Sequence, residues 1–579
     1  MSRIPLSTTL ALLAVAVVST SLSAGQIEPG FEEYLQTLDA GTHVRAIIKM
    51  RDQISIPSLE AGFRYSGATM AERHATVITK LHDITRESQP AILGLLNGAR
   101  GSGEVREFRS FWISNLVALE AVPAFLFALA EREDIDTIYE DAPIEAIQPV
   151  SSGPVGEAAR GVEPGVEATG APILWSMGIT GLGTLVSHLD TGVAGTHPAL
   201  ADRWRGLDEG VTPQEAWYDP VTNTTFPFDA GSHGTHTMGT ICGKDGDNII
   251  GMAYGAKWIS AGVIDRVSIS QTLADAIAAF EWAADPDGNP GTMNDVPDCI
   301  SNSWGLSPLY HGYAACSDAG LWGVIDNVEA AGSVVVFAAG NEGSGSQTLR
   351  IPADRDATPV NSFAVGALNQ GAETIAGFSS RGPSGCPTAS IKPEVCAVGV
   401  DVRSSVPSSG YSTMSGTSMA CPHVAGAVAL LRQVNPEATV EDIKYALYYT
   451  AVDLGPAGED NDYGMGKIDV VAAAEYVGLG SLATLTGTVT AEVGGAPLTA
   501  RLALSGDLNV EITAAADGSY MLKVPPGEYD LEAWMFGYLP ETASLTVGEG
   551  ETINTDFALA LAPMATLEGT ITNTDTGLP

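Results

Sequence analysis

The chain has 579 residues, of which 45% are hydrophobic, so it is long enough for roughly two to four globular units. Its 28 basic and 69 acidic residues give a formal net charge of -41, which repels phosphate backbones and anionic lipid surfaces. We therefore expect no nucleic-acid partner. The 65 glycines and 33 prolines are spread along the chain and favour loop-rich α/β or β domains over a disordered tail.

Residues 1–24 predict a signal peptide. Arg3 precedes an apolar run at residues 10–18, and the small residues at 19–24 offer a cleavage site. The run is too short to span a bilayer, and no later stretch approaches about 20 uninterrupted apolar residues. We expect a secreted protein without a membrane span.

Export also changes how the six cysteines are interpreted, because disulfides form outside the cytosol. Cys299–Cys316 and Cys386–Cys396 would each close a short local loop, and these are the expected pairings, although sequence alone does not choose among the alternatives. Cys242 and Cys421 fit equally well as small buried apolar residues.

Residues 25–160 predict a small α+β unit followed by a linker. Residues 42–49 alternate like a strand, residues 71–88 are helical in composition, and residues 110–140 run strand, helix, strand. Between 148 and 170 the chain is rich in Gly, Pro, Ser and Glu without periodicity, which is typical of an exposed linker open to cleavage.

Residues 161–478 alternate apolar strands with helical patterns. Strands are expected at 184–189, 256–263, 334–339 and 362–367, and helices at 269–285, 321–331 and 418–434. The alternation predicts an α/β fold with a mostly parallel sheet flanked by helices on both faces.

The remainder of the chain predicts β structure. Residues 482–562 read as short strands separated by turn residues, which favours a β-sandwich. Residues 483–497 match residues 565–579, so we expect a second, truncated copy of the module to begin at 563–579 and the chain to be a piece of a longer protein.

Three segments each place one reactive side chain among small residues. They are LDTGV at 189–193, SHGTHTMGT at 232–240 and SGTSMACPHVAG at 415–426. A serine hydroxyl needs a nearby base, and the base needs a partner that fixes its tautomer. Ser418, His233 and Asp190 supply these three roles.

These segments resemble the three active-site signatures of the subtilase family (peptidase family S8), in the family's chain order of Asp, His and Ser. GTSMACPHVAG matches the serine motif residue by residue, and the resemblance covers roughly residues 171–477. CISNSWG, AYGAKWI and NDYGMGKID are most similar to the bacillopeptidase F-type branch. The resemblance implies a subtilisin-like fold and serine endopeptidase activity, with no cofactor required for the chemistry.

The same resemblance assigns four further residues. Asn341, in FAAGNEG, matches the asparagine that stabilises the oxyanion, with the backbone N–H of Ser418 as second donor. Ser303, Trp304 and Gly305 match the substrate-binding segment, on which an extended peptide pairs main chain to main chain. Trp304 alone would more often be a packing residue.

The other histidines near the motifs are given no chemistry. His236 and His423 match structural positions of the family, and His188 lies on a strand, where a core role is expected.

The sequence contains more than one candidate site for a structural calcium ion and does not choose among them. Asp245, Asp247 and Asn248 form an acidic loop that could bind it, although a solvated turn fits better. Ala199 stands where many subtilases carry a calcium-binding aspartate, which puts that site in doubt. A structural calcium ion through Asp460 and Asp462 is an alternative that the spacing does not demand.

The flanking units add two expectations. Residues 25–160 are similar in pattern and position to inhibitory, chaperone-like propeptides, although a retained N-terminal domain is the alternative. Residues 487–557 resemble the carboxypeptidase regulatory-like β-sandwich, whose role here could be a spacer, a surface tether or a substrate-docking module.

The leading hypothesis is a secreted, self-processing serine endopeptidase that acts on protein or peptide substrates and binds its own propeptide. One alternative is a surface- or matrix-binding protein with an inert protease domain, tethered to the cell surface by its β modules. A second alternative is an esterase that uses the same nucleophile, but the substrate-strand segment favours peptides.

Overall fold

The computed structural model describes residues 24–265, 272–306 and 316–563, except 359, 372, 507 and 509. The predicted signal peptide, up to residue 23, and the predicted second β copy, from residue 564, lie outside the described residues.

The N-terminal unit is a five-stranded sheet covered by helices. Its elements are β1 (Gln26–Ile27), α1 (Pro29–Gln36), β2 (Val44–Met50), α2 (Ile56–Ser66), α3 (Met70–Ser102), β3 (Val105–Phe111), β4 (Leu116–Ala121), α4 (Pro123–Ala130) and β5 (Ile135–Glu140). The strand order is β1-β5-β2-β4-β3, and only the β1–β5 pair is parallel. The α+β prediction is confirmed.

Helix α3 runs beyond the predicted range of 71–88. It begins at a capping box in which Thr69 and Glu72 bond each other's backbone, and it ends at Gly103 in the left-handed conformation. Pro90 lies inside it without ending it, and the buried Ile92 and Leu96 continue the apolar face. Tertiary packing therefore extends the helix past its proline.

Three short strands follow along residues 141–163. They are β6 (Glu145–Ala146), β7 (Ser151–Ser152) and β8 (Gly161–Val162), and each pairs with a different part of the next unit. The predicted exposed linker is thus partly wrong, because Glu163 and Val166 are buried. Glu163 caps the short helix α5 (Pro164–Glu167) by accepting the Val166 N–H at 3.0 Å.

The central unit is a parallel sheet between helices. Its elements are α6 (Ala171–Ser176), β9 (Leu185–Asp190), β10 (Trp217–Tyr218), α7 (His233–Cys242), β11 (Lys244–Asp245), β12 (Asn248–Ile249), β13 (Lys257–Trp258), β14 (Ser260–Gly262), α8 (Leu273–Ala284), β15 (Cys299–Asn302), β16 (Trp304–Gly305), α9 (Trp322–Ala330), β17 (Val334–Ala338), β18 (Phe363–Leu368), β19 (Val395–Val398), β20 (Val402–Val406), β21 (Gly410–Ser415), α10 (Thr417–Val434), α11 (Val440–Tyr449) and α12 (Val470–Ala474). The main sheet has the order β10-β14-β9-β15-β17-β18-β19, and β13 also pairs with β9.

Burial on both faces explains the parallel sheet. Every residue of β9, β15, β17, β18 and β19 is buried, as expected for strands covered by helices on two sides. Helix α10 is buried along nearly its whole length and packs against α7 and the sheet. The predicted fold class is confirmed.

The N-terminal unit shares a core with the central unit. Phe111 and Leu116 belong to the same apolar cluster as Phe280 of α8 and Val324 of α9. At this contact the Glu281 Oε2 atom accepts the backbone N–H groups of Trp112 and Ile113, at 2.5 and 3.1 Å.

The C-terminal unit is a β-sandwich. It contains β22 (Ala483–Ala491), β23 (Arg501–Gly506), β24 (Val510–Thr513), β25 (Ser519–Val524), β26 (Gly527–Trp534), β27 (Glu541–Val547), β28 (Thr552–Asn554) and β29 (Phe557–Leu559). Strand β22 pairs with β25, β28 and β29, and the second sheet has the order β24-β23-β26-β27. Leu485, Leu502, Leu522 and Leu531 bring both sheets into one core, which confirms the predicted β structure.

The disulfide prediction is wrong. Cys316 pairs with Cys386 across 70 residues of sequence, whereas Cys299 and Cys396 are free and buried. Cys299 begins β15 and Cys396 lies within β19, so both are held in the main sheet. Cys242 and Cys421 are buried and free, as expected.

Among the described residues, no helix combines the length and apolar character that crossing a membrane would require.

Candidate active site

The site begins at the carboxyl end of β9, where Asp190 is buried. Its Oδ1 atom accepts the Thr191 N–H at 2.7 Å, and its Oδ2 atom accepts the Thr237 hydroxyl at 3.3 Å. The Nδ1 atom of His233 lies 2.7 Å from Asp190 Oδ1. Two of the predicted residues are therefore in direct contact, and the carboxylate fixes the tautomer of the imidazole.

Helix α7 can approach β9 closely because Gly234 has no side chain. A Cβ atom at Gly234 would lie 2.1 Å from the carbonyl oxygen of Gly192. The Gly234 N–H also donates to Thr191 Oγ1 at 2.9 Å. The glycine in SHGTHTMGT thus brings the first turn of α7 against the strand end and places His233 beside Asp190.

The electrostatics of the pair follow from burial and contact. Burial alone would raise the pKa of Asp190, but the charge and hydrogen bond of His233 hold it below its ordinary value. Burial alone would lower the pKa of His233, but the Asp190 carboxylate raises it above its ordinary value. The contact therefore stabilises the ion pair between the Asp190 carboxylate and protonated His233.

Asp229 supports this geometry and was missed by the sequence analysis. Its two oxygens accept the hydroxyls of Thr191 and Thr235, at 2.7 and 2.6 Å, and the N–H groups of Gly231 and Thr235. An aspartate four residues before His233, in the loop that leads into the histidine motif, is the signal that could have identified it. It ties the loop before α7 to the segment after β9.

Ser418 lies in the first turn of α10 and is fully buried. Its hydroxyl donates to the carbonyl oxygen of Ile147 at 2.6 Å, and its own carbonyl accepts the Ser303 hydroxyl at 3.2 Å. The Nε2 atom of His233 is buried and has no hydrogen-bond partner among the described residues. The serine is therefore engaged by another part of the same chain.

Asn341 follows β17 and is held at both ends of its amide. Its Oδ1 atom accepts the N–H and hydroxyl of Thr417 at 2.9 and 3.0 Å, and its Nδ2 atom donates to the Gln148 carbonyl at 2.9 Å. The donor thus points at a peptide carbonyl one residue beyond the one that Ser418 contacts.

Ser303, Trp304 and Gly305 form an edge on which residues 145–147 lie antiparallel. Trp304 pairs with Ala146 and Gly305 with Glu145, and the Ile147 N–H donates to the Ser303 carbonyl at 2.9 Å. The Trp304 ring is buried beside Phe280 and Phe337, so its side chain packs in the core while its backbone binds the strand.

The bound segment continues past the serine. The Val150 N–H donates to the Ser415 carbonyl at 2.8 Å, and β7 pairs antiparallel with β21. Beside it lies an open cleft of about 390 Å³, lined by residues that include His233, Asp265 and Gln148. Residues 145–152 therefore cross the site as an extended peptide. The sequence analysis expected the chain to bind its own propeptide but did not identify this segment as the part that lies in the site.

The remaining histidines are structural in their contacts. His236 Nε2 lies 3.1 Å from the carbonyls of Val402 and Ser412, and His423 Nδ1 lies 2.9 Å from the Met419 carbonyl. Burial lowers the pKa of His188 to about 4 and that of His236 to about 3. Both rings lie inside the protein, where burial disfavours the charged imidazolium.

The loops considered for calcium have protein partners. The Ala199 carbonyl accepts a hydrogen bond from the Arg203 guanidinium, which also binds the Tyr254 carbonyl at 2.6 Å. Asp245 accepts the Tyr411 hydroxyl at 3.0 Å, and Asp462 pairs with Arg381 at 2.7 Å.

Comparison with known proteins identifies the families of the central and C-terminal units. Residues 181–466 match the subtilase family model, and residues 484–560 match the carboxypeptidase regulatory-like domain. Bacillopeptidase F of Bacillus subtilis is 34% identical over 438 residues, which are 71% of this chain and 29% of that protein. The chain thus spans less than a third of that relative.

Subtilisin E of Bacillus subtilis is 34% identical over 323 residues, covering 55% of this chain and 73% of that protein. Fervidolysin from Fervidobacterium pennivorans, described as a keratinolytic enzyme related to subtilisin, has a similar fold. Its TM-score is 0.53 at 22% identity, over 92% of this chain and 80% of that one. The chain belongs to the subtilase family of serine endopeptidases, as the sequence resemblance predicted.

Proposed function

We propose that this chain is a secreted, self-processing endopeptidase that hydrolyses internal peptide bonds of protein substrates through Ser418. The observation that carries the proposal is a peptide already seated in the site. The Ile147 carbonyl accepts a hydrogen bond from the Ser418 hydroxyl at 2.6 Å, while its N–H pairs with the substrate edge. A protein substrate would bind in the same way, by adding a strand to Ser303–Gly305.

In the proposed mechanism Ser418 Oγ attacks the carbonyl carbon, and its proton passes to Nε2 of His233. Asp190 stabilises the imidazolium that forms. The Ser418 N–H, in the first turn of α10 where N–H groups have no partner within the helix, stabilises the oxyanion together with the Asn341 amide, which in the precursor donates to the neighbouring Gln148 carbonyl. His233 then protonates the leaving amine, and water releases the acyl group from Ser418 by the reverse sequence.

Self-processing follows from the same contact. The peptide bond after Ile147 has its carbonyl at Ser418, so we expect the first cut between Ile147 and Gln148. The bond after Gln148 precedes Pro149, whose ring removes the N–H and restricts the chain. Residues 25–147 would then act as the propeptide, which blocks substrates until it is released, and residues before 160 would be trimmed later.

The test compares the wild-type precursor with Ser418→Ala, each expressed alone, by N-terminal sequencing and casein hydrolysis. The wild-type chain should lose its N-terminal unit, begin at Gln148 or at a trimmed residue up to 161, and hydrolyse casein. Ser418→Ala should stay intact and inactive. If Ser418→Ala matured alone to the same N-terminus, self-cleavage would be ruled out, and a matured wild-type chain that turned over simple esters but not casein would rule out the endopeptidase.

Secretion belongs to the same proposal and is supported by the leader at residues 1–24. Detection of the protein in the culture medium, lost on deletion of residues 4–18, tests it. A chain that reached the medium equally well without these residues would contradict it.

A further inference from the structure

The loop that joins α8 to β15 contains a cluster of three aspartates. One carboxylate oxygen from each of Asp285, Asp287 and Asp295 lies within 4.8 Å of the other two. Asp285 and Asp295 are buried, and Asp287 is exposed. The cluster lies outside the catalytic site and outside the acidic loops that the sequence analysis considered.

Two carboxylate oxygens of these aspartates are buried without a hydrogen-bond partner among the described residues. Asp295 is 0% exposed; its Oδ2 atom accepts the Asp287 N–H at 3.0 Å, but its Oδ1 atom receives no hydrogen bond from the described part of the chain. Asp285 is 7% exposed, and within the same residues its Oδ1 atom also has no donor. A buried carboxylate oxygen without a donor is costly, so both atoms indicate a missing ligand.

The described residues supply no counter-ion to the cluster. No Lys, Arg or His side chain among them forms an ion pair with Asp285, Asp287 or Asp295. Arg205 pairs with Glu215 at 3.9 Å instead. The three acidic side chains are therefore crowded together without a cation in contact in the described part of the chain.

We propose that Asp285, Asp287 and Asp295 bind a Ca²⁺ ion. Calcium binds oxygen ligands at about 2.3–2.6 Å, so two ligands on opposite sides of one ion lie up to about 5 Å apart. The 4.8 Å limit of this cluster fits that span. Magnesium, with bonds of about 2.0–2.1 Å, would require the carboxylates to move closer, and water and backbone carbonyls would complete the calcium shell.

The ion would stabilise the loop that leads into β15 and the substrate-binding edge at Ser303–Gly305. The loop leaves α8 at Ala284 and returns to the sheet at Cys299, four residues before Ser303. Asp298, at the end of the loop, accepts the Leu185 N–H at 2.9 Å and so connects the loop to strand β9. Calcium should therefore raise the stability of the folded chain, independently of the catalytic activity proposed above.

The test uses the full Ser418→Ala precursor, which cannot cut itself, and its Asp295→Asn variant, both freed of metal with a chelator. Each is titrated with CaCl₂ by calorimetry and melted with and without calcium. The Ser418→Ala parent should bind one more Ca²⁺ than the variant, and its melting temperature should rise by about 2–4 °C at calcium about 100-fold above Kd. Without calcium the variant should melt at or above the parent, because one like charge is gone.

Two further variants complete the test, one as a control and one as a second change of a proposed ligand. Asp202→Asn removes an exposed carboxylate elsewhere and should keep the calcium response of the parent. Asp287→Asn changes the exposed ligand, so it should fold even if Asp295→Asn does not, and its calcium affinity should fall about tenfold or more. An equal calcium response in parent, Asp295→Asn and Asp287→Asn, or an equal response of the parent to magnesium, would overturn the proposal.

Discussion

At the scale of single residues, the Asp190–His233 contact defines what the site can do. The two side chains are joined at 2.7 Å, and each shifts the other's pKa toward the charged pair. In the proposed mechanism His233 is neutral before the attack and charged after it.

The contact predicts an acid limb in the pH profile of the matured enzyme. Because Asp190 raises the pKa of His233, the proton stays on His233 to higher pH, and kcat/KM should fall as pH drops through a midpoint above the ordinary value of about 6.5. Asp190→Asn should lower that midpoint and reduce kcat by about 10⁴-fold. Asp208→Asn, far from the motif in sequence, is the control. An unchanged limb in Asp190→Asn would contradict the assignment.

Replacing Asn341 should change kcat and leave KM for the substrate nearly unchanged. Asn341→Ala should reduce kcat by about 10²–10³-fold with little change in KM, the magnitude measured for the oxyanion-hole donor of subtilisin itself. Thr417→Val removes one bond that orients the amide and should cause a smaller loss. Steady-state kinetics on a peptide substrate measure both. A large rise in KM at constant kcat would indicate a binding role instead.

At the scale of elements, the substrate edge depends on close packing at Gly305. A Cβ atom there would lie 2.9 Å from the Ile351 carbonyl oxygen and from Arg350 Cβ. Gly305→Ala should therefore displace the edge, raise KM for peptides by about tenfold and slow self-processing. Gly377→Ala is the matched control, because a Cβ atom there meets nothing within 4 Å. Equal kinetics for the two variants would show that the edge is not constrained.

The disulfide also acts at this scale, because it links the region before α9 to the segment before β19. Cys316–Cys386 closes a loop of 70 residues, so its loss should cost about 2–4 kcal/mol of stability. Chemical denaturation of Ser418→Ala and of the same chain with Cys316→Ser and Cys386→Ser measures the difference. The buried Cys299 and Cys396 should react with thiol reagents only after unfolding. Failure of Cys299 and Cys396 to react in the unfolded, unreduced chain would contradict this pairing.

At the scale of the whole molecule, the N-terminal unit is held against the central unit by a buried carboxylate. Burial raises the pKa of Glu281 to about 7, and this group caps two N–H groups of the N-terminal unit. A pKa raised by docking means that the docked state binds the proton more tightly. The resulting stabilisation is fully present below the ordinary glutamate pKa and is lost as pH rises through about 7.

The precursor should therefore release its N-terminal unit more easily at pH 8 than at pH 5. In the Ser418→Ala background, the docking free energy should fall by up to about 3 kcal/mol over this range. Glu281→Gln, which cannot ionise, should flatten the pH dependence, as followed by the accessibility of the N-terminal unit to an added protease. If Glu281→Gln kept the full pH dependence of the docking free energy, groups other than Glu281 would be its cause.

The sequence predicted those parts of the molecule whose chemistry is local. Asp190 at a strand end, and His233 and Ser418 at helix starts, follow from apolar periodicity and short motifs. The disulfide was predicted wrongly, because the sequence analysis favoured pairs that close short loops. The observed pair is distant in sequence, and the expected partners Cys299 and Cys396 are instead buried in the main sheet. Two features depend on tertiary contacts that the spacing of residues along the chain does not reveal. One is the binding of residues 145–152 in the active site, and the other is the close approach of Asp285, Asp287 and Asp295.

The central claim is that Ser418 is the nucleophile and that the chain's own segment covers it in the precursor. Fluorophosphonate labelling, followed by peptide mapping, tests both parts in one measurement. The matured enzyme should carry one adduct on Ser418, and labelling should be about a hundredfold or more slower in a precursor whose residues 147–160 are made uncleavable. An adduct on another residue, or equal labelling of precursor and matured enzyme, would contradict the account.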